Sequence, residues 1–151
     1  MELGDLKKEH RPGLLFDVEL QYQPGMSAVM SSEARLGKHV GSGDGTIRGA
    51  RIHGSVRWDL FEDQGESVCG SNLRGLIETN DEAHIQFDAM GFFMRPDKSK
   101  PNRWITSAAV RFDTVDNRYK WLNTRLAMWE GRFDMKTGRH HYRVYSQVAE
   151  E

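Results

Sequence analysis

This 151-residue chain predicts an all-β fold, a meandering antiparallel sheet rolled into a barrel. Three observations lead there. Apolar residues recur with period 2 more often than at helical spacing, turn clusters separate the alternating runs at the intervals of a meander, and no internal repeat or low-complexity tract intervenes. A hydrophobic content of 38% in 151 residues sustains one compact domain with a real core, residues 1–12 and 149–151 being loosely held ends.

Leu14–Tyr22 opens the series of strands and Thr46–Gly49 follows. Ile52, Gly54, Val56, Trp58 and Leu60 then alternate with Arg51, His53, Ser55, Arg57 and Asp59, as a strand does when one face packs and the other meets water or a ligand. Leu73–Thr79 is the next strand. His84, Gln86 and Asp88 interleave with Ile85, Phe87 and Ala89, and the run Arg103–Phe112 alternates in the same way. Asp116–Leu122 reads as a short helix or helical turn capped by Asp116, with Tyr119 and Trp121 anchoring it on the barrel as scaffold. Thr124–Phe133 and His140–Val148 complete the set. Pro24-Gly25, Gly41-Ser42-Gly43-Asp44-Gly45, Asp63-Gln64-Gly65, Thr79-Asn80-Asp81, Arg95-Pro96-Asp97-Lys98 and Lys136-Thr137-Gly138 supply the turns.

Composition excludes several function classes. With 21 Lys and Arg against 22 Asp and Glu the net charge is −1, so no global basic field attracts nucleic acid or an anionic membrane. The single cysteine, Cys69, cannot form an internal disulfide, and the first residues build no apolar run of signal-peptide length; a soluble, cytoplasmic protein is expected. His140 and His141 point to opposite faces of a strand and cannot chelate one metal, and no His-x-His or His-Glu-x-x-His occurs, so no metal site is expected. The glycine-rich loop at 41–45 lacks the Lys-Ser/Thr of a phosphate cradle and reads as a flexible turn. Met26, Met30, Met90, Met94, Met128 and Met135 either line an adaptable apolar pocket or fill gaps in the core.

The most particular segment is Val110-Arg111-Phe112-Asp113-Thr114-Val115-Asp116-Asn117-Arg118-Tyr119-Lys120-Trp121-Leu122-Asn123. It resembles the Arg-Phe-Glu-Thr-Gly-x-x-Arg-Tyr-x-Trp-Leu-Asn block of the domain of unknown function 3237 family. Gly45-Thr46-Ile47-Arg48-Gly49 preceded by Arg35, then Trp58, Leu126–Gly131 and Tyr142-Arg143-Val144-Tyr145, resemble other family blocks. The resemblance implies a closed antiparallel β-barrel, akin to lipocalin-like and allene oxide cyclase-like barrels, whose mouth holds a small molecule and which assembles as a homodimer or higher homo-oligomer. It also implies a cofactor-free enzyme associated with breakdown of plant-derived aromatics.

Departures from the family pattern suggest where the chemistry lies. Arg57 replaces a family carboxylate, Arg74 is retained, Gly75 opens the space of an aromatic ring, and Asp88 stands where many relatives carry a basic residue. Arg57 and Arg74, joined by Arg35, are expected to bind a substrate carboxylate, since the guanidinium pairs bidentately with it. Asp88 and His84 share one strand parity and can both face the lumen, where either would move a proton. Trp104, Trp129 and Phe92 would stack on substrate rings. The expected activity is thus a cofactor-independent lyase acting on a carboxylated aromatic, such as decarboxylating ring opening of a lignin-derived phenylcoumaran acid to a stilbene. Two alternatives stand beside it: a non-catalytic binding barrel, and, for Arg57, Arg74 and Asp88, an ion-pair network on the outer face.

Overall fold

The computed structural model describes residues 13–22, 27–29, 38–63 and 67–147, with side chains of 27–29, 38–40 and 62–63 excepted. Among the described residues nine strands run β1 Leu14–Tyr22, β2 Ser27–Val29, β3 Lys38–Arg48, β4 His53–Asp63, β5 Val68–Thr79, β6 His84–Met94, β7 Arg103–Asp113, β8 Ala127–Asp134 and β9 Arg139–Ser146. The sheet order is β1-β9-β8-β7-β6-β5-β4-β3, and a further β1–β3 pairing closes it into an eight-stranded antiparallel barrel. β2 pairs with Lys38–Val40 of β3, beyond the stretch that β1 occupies.

Closure gives every strand an inside and an outside. The interior carries Phe16, Val18, Trp58, Leu60, Ile77, Ile85, Val110, Trp129, Tyr142 and Val144, all nearly inaccessible, so it is a packed core more than a pore. Trp129 stacks on Phe87 at 5.4 Å between centroids, and Tyr22, Trp58, Phe133 and His140 make a second aromatic knot.

The expected turn at Gly41–Gly45 is instead part of β3. Trp58 on β4 lies across from Gly43 and donates its indole N–H to the Asp44 carbonyl at 3.1 Å. A Cβ at Gly43 would stand 2.5 Å from the Trp58 ring, so the glycine is there for close approach to an indole and not for turning. Gly75 works likewise: a Cβ there would stand 2.7 Å from Phe87, so the space left by the missing side chain is filled by a neighbouring ring and opens no cavity. The Met90, Met94 and Met135 side chains are exposed and Met128 is half-buried, which removes them from the core; Met26 and Met30 lie outside the described residues. The expected turn at Pro24-Gly25 also lies outside them, as do Gln64 and Gly65.

The segment expected as a helix at 116–122 is a turn followed by a 3-10 helix, Lys120–Thr124, whose N-cap Tyr119 makes no side-chain cap bond. Asp116 is committed elsewhere. Its carboxylate takes the Arg118 backbone N–H at 2.9 Å and the Arg118 guanidinium at 2.8 and 3.0 Å, which holds it at about 2, well below the usual carboxylate value. Asn123 brackets the loop, accepting from the Thr114 N–H and donating to the Thr114 carbonyl. Tyr119 donates to Asp81, Arg118 lies 3.3 Å from the same carboxylate, and the Arg51 guanidinium covers the Trp121 ring at 3.6 Å. The distinctive segment is therefore a clamp that ties the β7–β8 connection to the β5–β6 turn and to Arg51 before β4. Thr114 adds a bond to the His84 carbonyl at 2.8 Å.

Gly43→Ala is expected to lower unfolding free energy by at least about 1–3 kcal/mol in urea titration, because overpacking meets backbone on one side and an indole on the other. Trp121 is only partly buried, so Trp121→Ala should cost about 2 kcal/mol, below the roughly 3–5 kcal/mol of a fully buried ring. An unchanged midpoint in either variant would contradict these packing roles.

Candidate functional site

The four charged residues expected to meet in the lumen lie on the outer wall. Arg57, Arg74, His84 and Asp88 are exposed, because their neighbours Val56, Trp58, Leu73, Ile85, Phe87 and Ala89 take the inward positions. His84 and Asp88 do share a face; it is the solvated one. Cross-strand register sets Arg111, Asp88, Arg74 and Asp59 side by side on β7, β6, β5 and β4, a row of alternating sign. Arg74 Nε stands 3.7 Å from Asp88 and 3.4 Å from the Asn72 side-chain oxygen, and His84 is 4.0 Å from Glu78. The lumenal placement is thus corrected to an outer ion-pair ladder. Phe92 is also outside, 56% exposed, whereas Trp104 and Trp129 point into the barrel, so the wall separates the expected rings from the expected charges. Arg35 lies outside the described residues.

A different set of residues is brought together. A cavity of about 960 Å³ is lined by segments of β1, β3, β7, β8 and β9 and by Pro96, Asp97 and Lys100 of the β6–β7 loop. Thr46, Glu19, His141, Arg132 and Ile105 are successive cross-strand neighbours along it, and Gln21, Arg139, Asp134 and Arg103 form the next row. These are outward positions, so the cavity opens on the barrel's exterior beneath the loop. The inward residues Leu20, Trp104, Phe133 and His140 of the same segments complete its lining.

Its charge is uneven in effect. Lys100, Arg103, Arg132 and Arg139 face Glu19, Asp97 and Asp134. Asp97 accepts from the Ser99 hydroxyl and N–H at 2.6 and 2.9 Å, which lowers its pKa, and Asp134 accepts the Lys136 N–H at 2.8 Å. Bonds from neutral donors do not cancel a carboxylate's charge, so the positive excess is the single cation by which Lys100, Arg103, Arg132 and Arg139 outnumber the three acids. His141 reaches 3.7 Å from Asp17, which Arg143 also approaches at 3.3 Å.

His140, 1% exposed, is a buried polar group on the inner face of β9 that borders the cavity. Its ring packs against Phe133, Tyr22, Trp58 and Phe93, and burial pushes its pKa down to about 3. Thr106 donates to the Tyr142 hydroxyl at 3.5 Å, and that hydroxyl in turn bonds Nδ1 of His140. Nε2 has no hydrogen-bond partner among the described residues, and neither do the indole nitrogens of Trp104 and Trp129. The alternation of His140, Tyr142 and Val144 against His141, Arg143 and Tyr145 directs His140 inward. No group of three or more His, Cys, Asp or Glu is placed to hold a metal among the described residues, and no helix there is long and apolar enough to cross a membrane.

His140 also makes stability depend on pH. Its folded value lies below the 6.5 of a free imidazole, so between about 6.5 and 3 the unfolded chain binds the extra proton and stability falls as pH falls. His140→Gln should therefore flatten the dependence of melting temperature on pH across that interval, even if it lowers stability at pH 8. An unchanged slope would show that burial of this ring is not what the acid limb reports.

No curated protein matches the sequence. Among solved structures the fold is similar to a β-barrel-like protein from Acinetobacter baumannii AYE, with a TM-score of 0.77, 16% identity and coverage of 89% of this chain and 94% of that one. A protein with unknown function from Clostridium acetobutylicum is comparable at 0.76, 15%, 88% and 95%. A protein described as an enzyme from Penicillium herquei follows at 0.63, 22%, 89% and 95%. At these identities the likeness establishes the barrel alone. The family model described as "Protein of unknown function (DUF3237)" matches residues 12–147, and the chain belongs to that family.

Proposed function

We propose that this protein is a cofactor-independent lyase that binds a carboxylated aromatic small molecule in the cavity beneath the β6–β7 loop. The observation that carries the reading is the composition of that one cavity: Arg103, Arg132 and Arg139 for a carboxylate, the outward Ile105 as apolar lining, and His141 for the proton transfer. A volume of about 960 Å³ suits a ligand of two aromatic rings. The roles expected of Arg57 and Arg74 pass to Arg132 and Arg139, and that of Asp88 and His84 passes to His141. That one barrel of this shape is described as an enzyme agrees with a catalytic reading.

For a phenylcoumaran acid the chemistry closes without an electron sink. The bond between the ring carbon and the carboxylate breaks, its electron pair becomes the new carbon–carbon double bond, carbon dioxide leaves, and the ether oxygen departs as a phenolate. His141 protonates that oxygen, which lowers the barrier at the charge that develops there. Arg132, the cross-strand neighbour of His141, holds the carboxylate at the adjacent position on the wall.

Carboxylated aromatic dimers screened for carbon dioxide release and stilbene absorbance test this directly. Arg132→Leu should weaken binding of the acids far more than of their neutral esters, and His141→Gln should spare binding while lowering turnover by about 10²–10⁴-fold. Arg74→Leu and Asp88→Asn should leave turnover intact. Turnover that survives His141→Gln would sink the proton-transfer role. Acids that bind without reacting would leave a non-catalytic binding barrel.

A further inference from the structure

The wall that carries the ion-pair ladder also exposes a run of apolar side chains that a solitary barrel has no use for. On β6, Met90, Phe92 and Met94 are 60%, 56% and 40% exposed; Phe61, Val68 and Ile105 on β4, β5 and β7 surround them at 45%, 54% and 43%. Register makes the patch contiguous: Val68, Met94 and Ile105 form one row across β5, β6 and β7, and Phe61, Asn72 and Met90 another across β4, β5 and β6. Six such side chains leave on the order of 500 Å² of apolar surface, at the upper end of what a monomer ordinarily shows as one patch, and the flanking ladder brings the face toward the roughly 800 Å² per partner of a stable interface.

We propose that this wall docks a second copy of the chain across a two-fold axis lying parallel to the strands, between β5 and β6. The ladder argues for a second copy over an unrelated partner. Its order Arg111, Asp88, Arg74, Asp59 alternates in sign, so rotation about that axis sets Arg111 opposite the partner's Asp59 and Asp88 opposite the partner's Arg74. The same rotation sets Phe92 opposite the partner's Gly70, Met90 opposite the partner's Asn72, and Met94 opposite the partner's Val68, since each pair is matched in cross-strand register. A bulky ring thus faces a glycine, and apolar meets apolar in the outermost row. Ile105 lines both this face and the ligand cavity, so the second copy would stand beside the cavity entrance without covering the row of Glu19, His141 and Arg132.

Sedimentation equilibrium of the full chain from 1 to about 100 μM tests the proposal, at concentrations where an interface of this size associates. The wild type is expected to sediment as a dimer, and Phe92→Arg should raise the dissociation constant at least about thirtyfold while leaving the β-sheet circular dichroism and melting cooperativity of the monomer. Arg74→Glu should weaken the dimer and Arg74→Glu with Asp88→Arg should restore it. Chains carrying Asn72→Cys and Met90→Cys, mixed under oxidising conditions, should cross-link to each other. A wild type that stays monomeric throughout overturns the inference, and so does an oligomer indifferent to Phe92→Arg. A dimer disrupted by Phe92→Arg in which the charge reversal fails to rescue and the mixed cysteines do not link would overturn the two-fold arrangement.

Discussion

Pairing of β1 with β3 is the constraint on which the rest of the molecule depends. Six residues of β1 lie against six of β3, from Asp17 opposite Arg48 to Tyr22 opposite Gly43, and with that contact no strand of the barrel is left at an edge. Once the sheet is closed, a side chain can no longer choose its face by a local adjustment. A slip of one residue on any strand would carry its whole apolar set to the outside and its charges to the inside. The narrow interior follows from the same closure, and so do glycines at places such as 43 and 75, where two strands must each bring an aromatic ring toward one spot.

A filled interior changes where function can reside. Family likeness to ligand-holding barrels suggests a site in the lumen, yet the lumen is occupied by Trp129 packed on Phe87 and Tyr142, and by Trp58 packed on Tyr22 and His140. A space large enough for a small molecule lies along the outer wall by the β6–β7 loop, where cross-strand register sets Arg103 and Arg139 on one row and Arg132 on the next. His140 belongs to the inner face and His141 to the outer face of the same strand. Their adjacency links the buried Tyr142–His140 pair to the cavity wall through one peptide unit, and their surroundings differ as much as any two in the protein: one ring is sealed among aromatics, the other stands between carboxylates and arginines.

The distinctive segment at 110–123 illustrates how structural contacts alone can make a pattern specific. Thr114, Asp116, Arg118, Tyr119, Trp121 and Asn123 each have a structural contact, and their partners, Asp81, Arg51 and the His84 carbonyl, lie on connections and strands far away in sequence. Polar residues at fixed spacing hold the loop by directed bonds while Tyr119 and Leu122 bury their side chains in the core and Trp121 packs against it. Such a clamp is exacting about residue type, which is why the segment stands out to the eye. The same demand hid its conformation: Asp116 looked like a helix cap, but Arg118 occupies its carboxylate, and the chain turns before the 3-10 helix begins.

Alternation was readable wherever strands carry ordinary side chains, so Leu14–Tyr22 agrees in both bounds and the strands at 53–63, 84–94 and 103–113 agree in phase. Where glycine replaces side chains the period disappears, and Gly41–Gly45 looked like a turn because the reason for its glycines, the Trp58 indole, sits on another strand. Parity by itself joined His84 to Asp88 and separated His140 from His141, since side chains on one strand alternate whatever surrounds them. Which of the two faces became the inside, and which residues of β1, β3, β7, β8 and β9 came to line one cavity, was decided only by tertiary structure. Closure and strand register are long-range pairings, and no single strand carries information about the neighbour against which its charges will stand.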